Sequence, residues 1–277
     1  MRELAGCMSS DATPTDRPGE RDVGARPLAL VTGPTAGLGR LFADRLARRG
    51  YDLVLVARDE TRLTEVGDAL SATYGGSCEV LVADLTDRDQ LKVVEDRLAD
   101  RVHPVDLLVN NAGFGLKRKF LDNTVEQEQA HLDVLVTAPM RLMHAALGQM
   151  TARHTGGIIN VSSVAGTQPR GSYSAAKAYL NRFGEWAAHQ YRKDGVRVMT
   201  LLPGFTRTEF HARMDVGRDA VPRLLWLDAD RVVDEALADF DAGKARSIPS
   251  KRYKVIATVS SHLPTAVLQR FQSLGRR

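Results

Sequence analysis

Leu28-Ala29-Leu30-Val31-Thr32-Gly33-Pro34-Thr35-Ala36-Gly37-Leu38-Gly39 runs from a short apolar stretch, through a glycine-rich turn, into a helical one. The helical stretch, Gly37–Arg49, carries Leu41, Phe42 and Leu46 on its apolar side. A strand that ends in residues without a Cβ and passes at once into a helix leaves that helix's first N–H groups unpaired. Those groups, with the positive end of the helix dipole, suit a pyrophosphate. Gly33, Thr35, Gly37, Leu38 and Gly39 are therefore candidate binding positions. The glycine spacing is G-x-x-x-G-x-G, not the commoner G-x-G-x-x-G. A glycine turn alone says little; its place after the first strand gives it weight.

Outward from this turn the chain alternates. Apolar runs at Leu53–Ala57, Cys78–Ala83 and Val105–Asn110 are separated by polar helical patterns over about 60–73 and 87–100. The second half repeats the rhythm. It has a helical stretch over 124–153 with a proline at 139, a strand Gly157–Ser162, a helix over 173–193 and a strand Val196–Leu202. A helix over about 230–242 and a short strand near Ser247–Ile248 follow. Continuous runs such as LVLVA mark strands buried on both faces. Strand–helix alternation at this spacing gives right-handed βαβ units, so the expected fold is α/β, one doubly wound parallel sheet with helices on both faces.

Composition narrows the function classes. The chain has 277 residues, 43% apolar and 26% charged, enough for one domain with a full core. Two cysteines and seven histidines without metal-ligand spacing exclude a disulfide scaffold and predict no metal site. They also suit a reducing, cytoplasmic setting. No apolar run is long enough for a membrane-spanning helix. The net charge of +4 is uneven: Lys244–Arg277 holds eight Lys/Arg and no acid, on a body that is net acidic. Beyond that charge no motif points to nucleic acid. Residues 1–26 carry almost no bulky apolar side chain and read as a disordered leader. The expected division is that leader, a domain over 27–250 and a basic amphipathic tail over 251–277.

Several residues then stand where a nucleotide and a reactive carbonyl could meet. Arg58 follows the second strand, where NAD enzymes place an acid, and its guanidinium fork suits a 2′-phosphate. A solvated surface Arg would look the same, and Asp59 beside it could soften the preference. Asp84-Leu85 follows the third strand; a carboxylate there accepts from an adenine amino group, or merely caps the next helix. Asn111, Ala112 and Gly113 follow the fourth strand and let backbone approach the adenosine ribose. Tyr173 and Lys177 are four apart at a helix start and share a face. An ammonium beside a phenol favours the phenolate, and moving a phenol from pH ~10 to about 7 takes roughly 4 kcal/mol. A core Tyr with a solvated Lys has the same spacing. Ser162-Ser163 ends a strand at the sheet edge where such folds bind ligands, and a hydroxyl there could hold a carbonyl while Tyr173 moves a proton.

Taken together, the chain resembles the short-chain dehydrogenase/reductase family over about residues 27–250. The resemblance rests on T-G-x-x-x-G-x-G at 32–39, Asp84-Leu85, Asn110-Asn111-Ala112-Gly113, Ser163, Tyr173-x-x-x-Lys177 and Pro203-Gly204-x-Thr206. It implies a Rossmann-type fold and hydride transfer between a nicotinamide cofactor and a carbonyl/alcohol pair. NADP is preferred, from Arg58, with NAD as the alternative. It further implies Tyr173 as general acid/base, Ser163 as carbonyl positioner, and Lys177 binding the nicotinamide ribose and lowering the Tyr173 pKa. Thr206 matches the position that helps hold the nicotinamide carboxamide, with Pro203 and Gly204 as further cofactor-binding candidates. Homodimers or homotetramers through the helices over 124–153 and 173–193 are also implied.

Two departures qualify this. Relatives carry an Asn in the helix before the Ser-bearing strand, as part of a water relay to the lysine; here Leu135 stands there. Pro139, four residues on, has no N–H, so the Leu135 carbonyl is expected to be free to hold that water for Lys177. The rival readings are a broken relay with altered activity, and a non-catalytic NADP(H)-binding sensor or scaffold. Only nine residues separate Ser163 from Tyr173, which predicts a tight path for Thr167–Gly171 over the pocket. Pro203–Leu227 reads as a lid with Phe205, Phe210, Met214, Leu224, Leu225 and Trp226, suited to a bulky apolar small molecule. Arg207, His211 and Arg213 on it could read a polar end of that molecule. In the tail, Val255, Val259, Leu263, Val267, Phe271 and Leu274 recur at helical intervals. Core or subunit packing is expected of them, with contact to an anionic membrane surface as the alternative.

Overall fold

A computed structural model describes residues 26–209 and 222–262. β1 (Leu28–Thr32) passes through the glycine turn into α1 (Gly37–Arg48). There follow β2 (Asp52–Ala57), α2 (Glu60–Tyr74), β3 (Cys78–Val82), α3 (Arg88–Ala99) and β4 (Leu107–Asn110). The second half holds α4 (Val125–Leu132), a π-helical turn (Asp133–Thr137), α5 (Ala138–Ala152), β5 (Gly156–Val161), α6 (Ser172–Gln190) and β6 (Val196–Leu201). It closes with α7 (Ala229–Asp241), β7 (Arg246–Ser247) and α8 (Lys251–His262). All neighbouring strands run parallel, in the order β3-β2-β1-β4-β5-β6-β7. This is the doubly wound Rossmann-type sheet.

Alternate strand residues feed two cores, which is why the runs are apolar throughout. Ala29, Val31, Leu55, Val109 and Ile159 pack with Phe42, Leu46, Leu63 and Leu237 on one face. Leu30, Val54, Leu108 and Ile158 pack with Leu91, Val94, Leu142 and Met143 on the other. The order reverses between β1 and β4, so their following turns diverge and open a crevice at the carboxyl edge.

Two expectations are corrected. The single helix over 124–153 is interrupted: the Ala138 N–H reaches back to the Asp133 carbonyl, five residues away, and Pro139 sits in the first turn of α5. A proline that can neither donate nor tolerate the carbonyl four residues back widens the turn locally. In the tail, Tyr253 and Ala257 take the buried face of α8, which leaves Val255 and Val259 exposed, outside this chain's own core. Leu263, Val267, Phe271 and Leu274 lie outside the described residues, as do residues 1–25 of the leader.

Candidate active site

The glycine turn is braced from the β4 side. Asn111 Nδ2 donates to the carbonyls of Thr32 (2.9 Å) and Gly33 (3.2 Å). The Thr32 hydroxyl oxygen accepts the N–H groups of Asn111 (3.0 Å) and Ala112 (2.9 Å). Gly33 and Gly37 both have positive φ, 68° and 56°. A Cβ on Gly39 would collide with the Gly33 carbonyl oxygen. Helix α1 starts at Ala36 without a side-chain cap, so no side chain competes for its first N–H groups. A Cβ on Gly37 would approach Thr208 at 3.3 Å, so the loop after β6 overhangs the turn. This backbone cradle, roofed on one side, fits a dinucleotide pyrophosphate. Thr35 and Leu38 lie on its rim and in the first turn of α1.

Arg58 is exposed at the end of β2 and its Nη1 donates to Asp84 Oδ2 at 3.4 Å. Burial raises the Asp84 carboxyl, but donors from Thr86 and Arg58 outweigh it and hold the carboxylate below its usual range. Asp84 does not cap α3; Asp87 does. Asp59 caps α2 by accepting the Arg62 N–H at 3.1 Å, which commits the acid beside Arg58 elsewhere. Leu85 is buried under the turn. On the β6 side, the Pro203 carbonyl accepts the Val164 N–H (3.1 Å), and the buried Thr206 hydroxyl donates to the Gly204 carbonyl (3.0 Å).

Ser163, Tyr173 and Lys177 meet at the same edge. Ser163 lies two residues beyond β5 and caps a 3₁₀ turn, Val164–Thr167, whose Gly166 backs directly onto the Lys177 backbone. The short connection then turns at Gly171, φ 92°, and starts α6 at Ser172. This is the tight path that nine residues require, and it sets Tyr173 in the first turn. The Ser163 and Tyr173 hydroxyls are hydrogen-bonded. Lys177 Nζ lies 5.9 Å from the Tyr173 ring centroid and donates to the Val161 carbonyl at 2.8 Å. Ser162 takes a bracing role instead, donating to the Lys177 carbonyl at 3.0 Å.

The electrostatics differ from the sequence expectation. Burial pushes the Tyr173 phenol up to about 12, against a smaller lowering from Ser163. Burial pushes the Lys177 ammonium down to about 8. In the protein alone, desolvation outweighs the Ser163 hydrogen bond, so the phenol is held neutral.

Sequence reasoning missed several residues. His131 stacks on Tyr173 at 6.0 Å. Tyr253 covers Gly204, accepts the Phe205 N–H (3.1 Å) and donates to the Leu225 carbonyl (2.7 Å). Asn110 Nδ2 donates to Asn160 Oδ1 (3.0 Å) beneath the site. His131, Tyr253 and Asn160 belong to no spaced motif, and Asn110 stood in the Asn110-Asn111-Ala112-Gly113 run without a role of its own. Only the Asn110–Asn160 pairing follows from strand register, β4 beside β5. Phe205 and Trp226 of the expected lid meet with centroids 5.9 Å apart. Phe210, His211, Arg213 and Met214 lie outside the described residues.

A family profile described as short chain dehydrogenase matches residues 27–218. An uncharacterized oxidoreductase of Staphylococcus saprophyticus is 31% identical over 193 residues, spanning 69% of this chain and 82% of that one. The fold is similar to a short-chain dehydrogenase from Sphingobium yanoikuyae in complex with NADPH. That structure is 33% identical, covers 87% of this chain and 97% of its own, and has a TM-score of 0.78. A bulky-bulky ketone specific alcohol dehydrogenase from Comamonas testosteroni is 29% identical, with 87% and 96% coverage and a TM-score of 0.74. The chain belongs to the short-chain dehydrogenase family, oxidoreductases that act on a carbonyl/alcohol pair with a nicotinamide cofactor.

Proposed function

We propose that residues 27–250 form an NADPH-dependent reductase of a bulky, largely apolar ketone. The observation that carries this is the half-buried Tyr173 phenol, hydrogen-bonded to Ser163 and beside the buried Lys177, at the edge where the glycine turn opens. A phenol held up to about 12 keeps its proton across the neutral range and so has one to give in the reductive direction. When bound, the cofactor supplies the hydride. Ser163 holds the carbonyl oxygen, Tyr173 gives its proton to that oxygen as charge develops, and Lys177 helps return a proton to the phenol. A cavity of about 10 Å³, room for a single water, lies among Asn110, Leu135, Pro139 and Lys177. It supports a relay in which the Leu135 backbone replaces the missing Asn side chain. Phe205 and Trp226, and the resemblance to the bulky-ketone enzyme, support the apolar substrate. NADPH oxidation measured across steroid, retinoid, acyl and quinone carbonyls, then repeated with NADH, tests the reading. No turnover on any of them, with NADPH still bound, would favour the sensor instead.

Arg58 is the proposed reader of the 2′-phosphate. It is exposed and its one ion pair is long, so it is available without disturbing the core. Arg58→Asp is expected to lower the ratio of kcat/KM for NADPH over NADH by about 10²-fold, through loss of charge-assisted hydrogen bonds and added repulsion. An unchanged ratio would place the preference elsewhere. A second copy is expected to pack on α6, where the exposed Tyr179 and Trp186 each stack on the half-buried Phe183 at 5.5 Å. Among the described residues no helix is long and apolar enough to cross a membrane. The exposed Val255 and Val259 beside Lys251 keep surface contact of the tail with anionic lipid as the lesser reading, and a cytoplasmic setting is proposed.

A further inference from the structure

Glu128, His131 and Leu135 are spaced by three and four residues, so the helical segment carries them on one side. All three are buried. Leu135 fills the space under Gly113, apolar where relatives place an amide. One turn earlier the same side carries an imidazole instead.

His131 has no solvent exposure, and among the described residues neither ring nitrogen has a hydrogen-bond partner of good geometry, the Phe114 backbone being its nearest polar neighbour in effect. Its ring lies 6.0 Å from that of Tyr173, at 27° to it, and 5.4 Å from that of Phe114, at 62°. Glu128 is nearly as buried: Oε1 accepts from Asn123 Nδ2 at 2.8 Å, and Oε2 has no partner. Burying an imidazole with both nitrogens unsatisfied costs stability that a phenylalanine or leucine would not. The ring contact with Tyr173 is the interaction that offsets this cost at the site. Burial drives His131 toward its neutral form. The Glu128 carboxylate and the Phe114 backbone oppose that, and Lys177 reinforces it. A neutral ring lets the stack form without a positive charge that would draw off the phenol proton.

We propose that His131 is a positioning residue for Tyr173, its ring in contact with both Phe114 and the phenol so that the hydroxyl stays aimed at Ser163. The proposal rests on Tyr173 being the proton donor. Offset-stacked aromatic pairs fix ring planes, and in the Ser163–Tyr173 pair a tilt of the phenol moves the hydroxyl directly.

The test compares His131→Leu, His131→Gln and His131→Phe with the wild-type chain, using a ketone that the wild type reduces. Tyr173→Phe serves as reference, and NADPH binding is read by nicotinamide fluorescence. His131→Leu and His131→Gln, which remove the ring, are expected to lower kcat by about tenfold or more while NADPH affinity stays within about twofold. His131→Phe, which restores the ring without the nitrogens, is expected to recover kcat to within about threefold of wild type. That rescue separates ring positioning from any proton role for the nitrogens and from loss of fold. Wild-type kcat in either ring-less variant, or His131→Phe as impaired as His131→Leu, would overturn the proposal. Should His131→Leu fail to fold, the Gln and Phe variants decide alone. Turnover surviving in Tyr173→Phe would instead remove the reading on which the proposal stands.

Discussion

Tyr173→Phe is expected to lower kcat for ketone reduction by about 10²–10⁴-fold, the range that a positioned proton donor supplies. NADPH affinity should stay close to wild type. The substitution removes one oxygen and leaves the ring, so the stack on His131 and the packing at the start of α6 persist. The change therefore separates chemistry from binding more cleanly than a change at Lys177, whose Nζ also ties α6 to β5 through the Val161 carbonyl. Steady-state kinetics with a fluorescence titration of NADPH check both halves. Loss of affinity in step with kcat would mean that the hydroxyl organises the crevice instead of supplying the proton.

The buried lysine gives this reaction a pH dependence. Lys177 is pushed down to about 8, so its charge is full below that pH and lost above it. Tyr173, pushed up to about 12, keeps its proton over the same interval. Where the ammonium helps return the proton, reduction is expected to hold level below about pH 8 and to fall as Lys177 deprotonates above it. A rate that rises through pH 8 would show that the neutral amine is the working form.

Strand and helix order was legible because strands buried on both faces cannot be mistaken for surface. The span Leu28–Thr32 carries a face-specific apolar residue at nearly every position, and its neighbours repeat that pattern. The π turn was not legible. Pro139 announced that a helical hydrogen bond must be missing, but whether a helix then breaks, bends or widens depends on what packs around it. The tail misled for a related reason. Helical spacing says that Val255 and Val259 share a face, but not which face meets the domain. Tyr253, anchored through its hydroxyl to Phe205 and Leu225, decides the rotation of α8. At the site, Ser163, Tyr173 and Lys177 were legible as a spaced pattern. His131 was not, since a lone histidine in a helix carries no periodic signal and its role comes from a ring contact 42 residues away in sequence. Spacing reveals the ammonium neighbour of Tyr173 and hides the desolvation that raises the phenol in the protein alone.

Gly39→Ala tests the cradle itself, and its effect is expected to rival that of losing the phenol. The added methyl would fall on the Gly33 carbonyl oxygen and on Asn111 Nδ2. Both belong to backbone or to a side chain that is fully used: Asn111 donates to Thr32 and Gly33 at once, and the Gly33 N–H is bonded to the Val56 carbonyl at 2.8 Å. Neither can move without shifting the turn between β1 and α1. Overpacking of this kind costs about 1–3 kcal/mol of stability. Displacing the N–H groups that face a pyrophosphate should weaken NADPH binding by about 10²-fold, or roughly 3 kcal/mol. Gly148→Ala in α5 is the matched control, because a Cβ there meets nothing within 4 Å and the residue lies in regular helix. It is expected to raise the melting temperature slightly, by about 0.5–1 kcal/mol of helix propensity, and to leave NADPH affinity alone. Thermal melts and NADPH titrations on the two alanine variants therefore distinguish a glycine required by close backbone approach from one that is merely tolerated. Equal NADPH affinity in the two would mean that the turn yields to the methyl and that the pyrophosphate is held by other groups.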